Sequence, residues 1–149
     1  YALDALCNAD IVAYLPKALY HYRFVDGSTS HSWNADTIKF REFIWEHQKK
    51  FLDSFGGTIE KADYAYVAYD NFIWAIFLLS SNLCPLSYKE KKRQLLRLNE
   101  KTEFEKYRKD CPLKHQRGIN KVKYILVKYR LERILLLFGP LFLRIVRGG

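Results

Sequence analysis

Asn71-Phe72-Ile73-Trp74-Ala75-Ile76-Phe77-Leu78-Leu79-Ser80-Ser81-Asn82 decides how the rest of the chain is read. From Phe72 to Leu79 every side chain is apolar, so a helix here has no polar face to turn toward water. Such a helix belongs at the centre of a core. The run is therefore expected as the second half of a helix from about Ile59 to Asn82, capped by Thr58 and broken by Pro85. It is shorter than the roughly 20 apolar residues a bilayer span requires. The same holds for Ile134 to Leu143, which lies between Arg133 and Arg144.

The segments on either side supply what would pack on that helix. Upstream, Asn34 or Asp36 can cap a helix that runs to Phe55 and stops at Gly56-Gly57. Phe40, Ile44, Phe51 and Phe55 fall on one side of it, and Ile38, Trp45 and Leu52 on nearly the opposite side. Two apolar stripes predict a helix sandwiched between layers. Downstream, Ser87-Tyr88-Lys89-Glu90 has the spacing of a capping box and opens a charged helix to Leu98. Another charged helix is expected from Thr102 to Lys109. A long final helix is expected to begin near Pro112 or Ile119 and end at Gly139-Pro140, with a last apolar turn or two up to Val146.

The chain has 149 residues, 49% of them apolar, which is enough for one domain with a core and excludes disorder. Its charge is divided unevenly. Residues 1–86 hold 7 basic and 10 acidic side chains, and residues 87–149 hold 18 and 6. The whole basic excess, +9 over the chain, belongs to the C-terminal part and favours an anionic partner. Cys7, Cys84 and Cys111 are odd in number and widely scattered, which supports neither a disulfide framework nor a zinc site and points to a reducing compartment. The four histidines have no H-x-x-x-H spacing, and the chain has no Gly-rich phosphate loop and no G-x-S-x-G elbow. The start at Tyr1-Ala2-Leu3 reads as the end of a helix in mid-pattern and carries no secretory signal, so a piece of a longer polypeptide is expected.

Before the helices, Ile11 to Leu15 and Ala18 to Phe24 alternate like two short strands separated by Pro16, and Asp26-Gly27-Ser28-Thr29-Ser30-His31-Ser32 is a polar loop. The run Tyr14-Leu15-Pro16-Lys17-Ala18-Leu19-Tyr20-His21-Tyr22-Arg23, followed by Gly27-Ser28-Thr29-Ser30, resembles the end of the catalytic domain of family 2 glycosyltransferases of the GT-A fold. In that family a "YLPKxLYxYR" strand pair leads into a "GSxS" loop. The likeness covers about the first 33 residues. Beyond them, the chain is similar only in general character to the variable helical extensions of bacterial members.

The resemblance implies a mainly α chain: residues 1–33 would be a short β-strand remnant of a GT-A α/β domain, and residues 34–149 a helical C-terminal domain with a basic amphipathic tail. It implies transfer of a sugar from a nucleotide-diphosphate donor to a saccharide or lipid-linked acceptor, as in surface polysaccharide synthesis. Mn²⁺ or Mg²⁺ would neutralise the leaving diphosphate, and a carboxylate base would deprotonate the acceptor hydroxyl. In the family's register that base precedes Tyr1, and the Asp-x-Asp metal motif lies farther upstream, so the fragment alone is expected to be inactive and to hold no cofactor. Asp4 does not replace them. The donor and acceptor contacts implied for this chain are His21, Arg23, Ser28, Ser30 and His31, with His31 left open as a metal ligand. Arg23 would offer a charge-assisted fork to a phosphate. The plainer alternative is that Tyr20 and Tyr22 pack a sheet, Arg23 pairs with Asp26, and the loop is only a turn.

The tail is a separate signal. Lys121, Lys123, Lys128, Arg130, Arg133, Arg144 and Arg147 surround apolar Ile125-Leu126-Val127 and Ile134 to Leu143. That pattern suits a helix lying on an anionic membrane surface, and the family resemblance implies a chain peripheral on the cytoplasmic side of the membrane. The alternative is that the apolar side packs on the Phe72 to Leu79 helix or pairs with a second copy in a homodimer. A competing class is a non-enzymatic basic helical module binding nucleic acid through Lys89 to Arg97 and Lys106 to Arg130. No nucleic-acid motif accompanies those cations and most aromatics lie in the acidic half, so no nucleic acid is expected.

Overall fold

A computed structural model describes residues 8–11, 13, 17 and 33–147 of the chain; the side chains of 115 and 140–147 fall outside that description. Of the expected strands only Ile11 and Ala13 are described, both exposed and neither in a strand, contrary to the expected buried strand there; the rest lies outside the described residues, as do His21, Arg23, Ser28, Ser30 and His31. Within them the fold is mainly helical. Five α-helices run in order: α1 (Thr37–Ser54), α2 (Lys61–Ser80), α3 (Tyr88–Lys101), α4 (Gly118–Lys128) and α5 (Glu132–Arg147). Short 3-10 turns at Gly56–Thr58, Phe104–Lys106, Arg108–Asp110 and Leu113–His115 connect them.

The apolar run places α2 at the centre, in contact with all four other helices and most extensively with α1 and α5. Ala65, Tyr69, Ala75, Ile76 and Leu79 on α2 are fully buried. Phe104 stacks on Phe72 at 4.3 Å and meets Tyr69 edge-on at 4.9 Å, while Tyr124 stacks on Tyr69 at 5.3 Å. Leu98, Val127 and Leu135 bring α3, α4 and α5 into the same core with no exposed surface. No helix of the described residues is long and apolar enough to cross a membrane.

Several boundaries differ from the sequence expectation, each for a physical reason. The cap of α2 is Glu60 rather than Thr58. Glu60 and Asp63 form a reciprocal capping box, and the Thr58 hydroxyl donates instead to the Phe55 carbonyl at 2.8 Å. The expected helix from Thr102 to Lys109 is two 3-10 turns, because Glu103 takes a left-handed conformation (φ 51°) that interrupts helical winding.

The expected long C-terminal helix is broken into α4 and α5. Arg130 is left-handed (φ 59°), the Leu131 amide donates to the Leu126 carbonyl at 2.8 Å, and the Arg130 amide donates to the Val127 carbonyl at 3.1 Å. This is a Schellman termination with arginine in the place usually given to glycine. Nor does α5 stop at Gly139-Pro140; it continues to Arg147. Pro140 has no N–H, so the only bond forfeited is the one the Leu136 carbonyl would accept. Gly139 serves packing instead: a Cβ there would overlap both Oγ and Cβ of Ser80 at the end of α2.

One stripe of α1 is fully covered and the other only in part, its Ile44 and Phe51 being half-buried. Ile38, Trp45 and Leu52 are buried, and Trp45 meets Tyr107 edge-on at 5.5 Å. Phe40 and Phe55 on the other stripe remain 57% and 45% exposed, with Phe43 beside them at 52%. Among the described residues no second layer covers Phe40, Phe43 and Phe55.

Candidate functional site

A cleft of about 350 Å³ opens between α3 and α5, floored by α2. Leu95 and Leu136 give it an apolar lining, with Phe72 beneath. Its polar wall is organised by Arg108, whose side chain is only 9% exposed. The guanidinium forks onto Glu105, with Nε–Oε1 at 3.0 Å and Nη2–Oε1 at 2.9 Å. Nη1 donates to the Glu132 carboxylate and to the Val127 carbonyl. The Phe104 ring lies 4.9 Å from the guanidinium carbon. The Tyr69 hydroxyl donates to the Arg108 carbonyl at 2.6 Å, which fixes the backbone of the turn that carries the arginine.

One cation thus ties the 3-10 segment to the end of α4 and to the first residue of α5. Glu132 also sits where a carboxylate complements the partial positive charge of the α5 N-terminus. Burial by itself disfavours the charged Arg108, yet Glu105 and Glu132 more than offset it and its pKa is raised. Burial likewise pushes the Glu105 carboxyl up, but the bonds and charge of Arg108, then the charge of Arg130 and the Asn99 amide, bring it below the usual glutamate value. A carboxyl depressed in the folded state adds stability above its unfolded pKa, and this is lost as pH falls through the folded value. Unfolding by urea at pH 7, 5 and 3 should therefore show a loss of stability below the ordinary glutamate range. Glu105→Gln should flatten part of that slope; an unchanged slope would show that Glu105 does not contribute to it.

The expected cationic tail residues separate into distinct roles. Arg130 and Arg133 both line the cleft. Arg130 is bound to Glu105, with Nη2–Oε2 at 2.7 Å, while Arg133 is exposed. Lys121 is exposed on α4, and Lys128 is half-buried with Nζ 5.9 Å from the Tyr129 ring. Lys123 is buried: Nζ sits 4.5 Å over the Phe77 ring and donates to Asn120 Oδ1 at 3.0 Å, and desolvation lowers its pKa. It is a core residue with no access to lipid phosphate, contrary to the sequence reading. The apolar side of α5 packs on α2 through Leu135 and Leu136, whereas Leu137 and Phe138 stay 61% and 55% exposed. Arg144 and Arg147 are on α5, but their side chains lie outside the described residues.

Sequence reasoning missed Arg108, Glu105 and Glu132 as a unit. Only the Glu105–Arg108 spacing of three residues was visible; Glu132 lies 24 residues from Arg108, and the chain must turn at Arg130 to bring them together. Among the described residues no group of three or more His, Cys, Asp or Glu side chains is placed to hold a metal ion. No protein-family model, no curated protein and no solved structure matches the chain.

Proposed function

We propose that this chain is the C-terminal part of a family 2 type glycosyltransferase that transfers a sugar from a nucleotide-diphosphate donor to a saccharide or lipid-linked acceptor. The observation that carries the reading is the ordered run from Tyr14 to Arg23 followed by Gly27-Ser28-Thr29-Ser30. On it, residues 1–33 close the catalytic domain and residues 34–149 form its helical extension. The exposed Phe40, Phe43 and Phe55 supply independent support, since a helix that directly follows a catalytic domain needs an apolar face on which that domain can sit. The base and the Mn²⁺ or Mg²⁺ ligands belong to residues upstream of Tyr1. Among the described residues no group is suited to hold that metal. His21, Arg23, Ser28, Ser30 and His31 contact donor or acceptor, with Arg23 neutralising part of a phosphate. The extension makes peripheral contact with an anionic membrane at the cytoplasmic face through exposed cations such as Lys121 and Arg133.

The test is the reading frame immediately upstream of Tyr1. An acidic pair just before it and an Asp-x-Asp farther upstream are expected. In that longer polypeptide, Arg23→Ala should lower transfer roughly 10- to 100-fold, the worth of a hydrogen bond to a charged group. A start codon immediately before Tyr1, or an upstream region without those acids, would overturn the reading, as would sugar transfer by the chain alone.

A further inference from the structure

A second hollow of about 280 Å³ adjoins the cleft, and Tyr88 and Leu136 line both. Together they form a trough between α3 and α5. Lys92 and Arg133 line its first part and Lys91 its second. Among the described residues none of these three makes an ion pair. Among the described residues the only carboxylates lining the trough, Glu105 and Glu132, are already engaged by Arg108 and Arg130. A surplus of positive charge therefore remains, carried by side chains free to reorient toward an anion.

The same trough has exposed apolar surface beside those cations. Leu136 is buried in the α5 wall, and Leu96 and Leu137, on opposite walls, are 52% and 61% exposed. Several unpaired cations suit a phosphate, with its higher charge and several acceptor oxygens, better than a single carboxylate. Apolar walls next to them suit a ligand whose anionic group is attached to hydrocarbon.

The geometry points to a binding site for a phosphate group carried on an apolar body. Lys91, Lys92 and Arg133 hold the phosphate, and the hydrocarbon lies along Leu96, Leu136 and Leu137. The site stands on the trough alone and does not depend on the transferase reading. It also differs from diffuse attraction to a membrane, because it assigns binding to particular cations on α3 and α5.

Calorimetric titration of the whole chain with dioctanoyl phosphatidic acid, dioctanoyl phosphatidylcholine and inorganic phosphate tests it. Phosphatidic acid is expected to bind more tightly than either control. Lys92→Gln with Arg133→Gln should weaken that binding at least tenfold. Lys89→Gln with Arg93→Gln, which removes the same charge from exposed α3 positions that do not line the trough, should change it less than twofold. Equal losses in the two double variants would show diffuse electrostatics and overturn the site. Inorganic phosphate binding as tightly as the lipid would overturn the apolar half of the assignment. Absence of lipid binding would overturn all of it.

Discussion

Replacing Arg108 by methionine is expected to destabilise the helical domain by about 3–5 kcal/mol, the cost of removing one partner from a buried charge network. Methionine keeps most of the stem and its packing, so the loss isolates the guanidinium. Glu132, whose side chain is 16% exposed, would lose the cation it is paired with, and the Val127 carbonyl would lose a donor. Glu105 would fare better, because Arg130 still holds it at 2.7 Å and its side chain is 39% exposed. This asymmetry is itself testable. Adding Glu132→Gln to Arg108→Met should recover part of the lost stability, whereas adding Glu105→Gln should recover little. With a typical domain stability of about 5–15 kcal/mol, the single variant should show a clearly lower urea midpoint. A change below about 1 kcal/mol would mean that the network is solvated and holds nothing together.

That network explains why the candidate site was less legible in the sequence than the fold. The Ser87–Glu90 capping box could be read because all its atoms lie within four residues: the Ser87 amide donates to Glu90 Oε2 at 2.8 Å, and the Glu90 amide donates back to Ser87 Oγ at 3.3 Å. The centrality of α2 could be read because eight apolar residues in sequence leave a helix no other place. The two stripes of α1 were visible, but periodicity does not say which stripe a neighbour covers. The turn at Arg130 was hidden because arginine is no usual signal for a left-handed residue, and tertiary bonds override its local preference there. His21, Arg23, Ser28, Ser30 and His31 came from a family resemblance, and they lie outside the described residues. The trough cations Lys91 and Lys92 were legible only as part of a charged helix, because what distinguishes them from Lys89 and Arg93 is the position of α5.

Substitution of Gly139 should undo that position of α5. Glycine followed by proline reads locally as a stop, yet the helix continues, and what Gly139 provides is a close crossing with α2. Alanine gains about 1 kcal/mol in helix propensity over glycine. Against this, its Cβ would overlap the Oγ and Cβ of Ser80, and Ser80 Cβ cannot rotate away because it is fixed to the α2 backbone. The helices must separate, and overpacking of this kind costs about 1–3 kcal/mol. Gly139→Ala is therefore expected to be destabilising in urea unfolding even though alanine is the better helix former. Gly139→Leu should reach about 3 kcal/mol or more, because no smaller movement accommodates its branches. Ser80→Gly removes both overlapping atoms, so combining it with Gly139→Ala should cost less than the sum of the two changes. If Gly139→Ala instead stabilised the protein by the ordinary helix gain, the close crossing would be refuted. Displacing α5 would also carry Glu132 from Arg108 and Arg133 from the trough. A destabilised Gly139 variant should accordingly lose the effect of Arg108→Met, leaving the two substitutions less than additive.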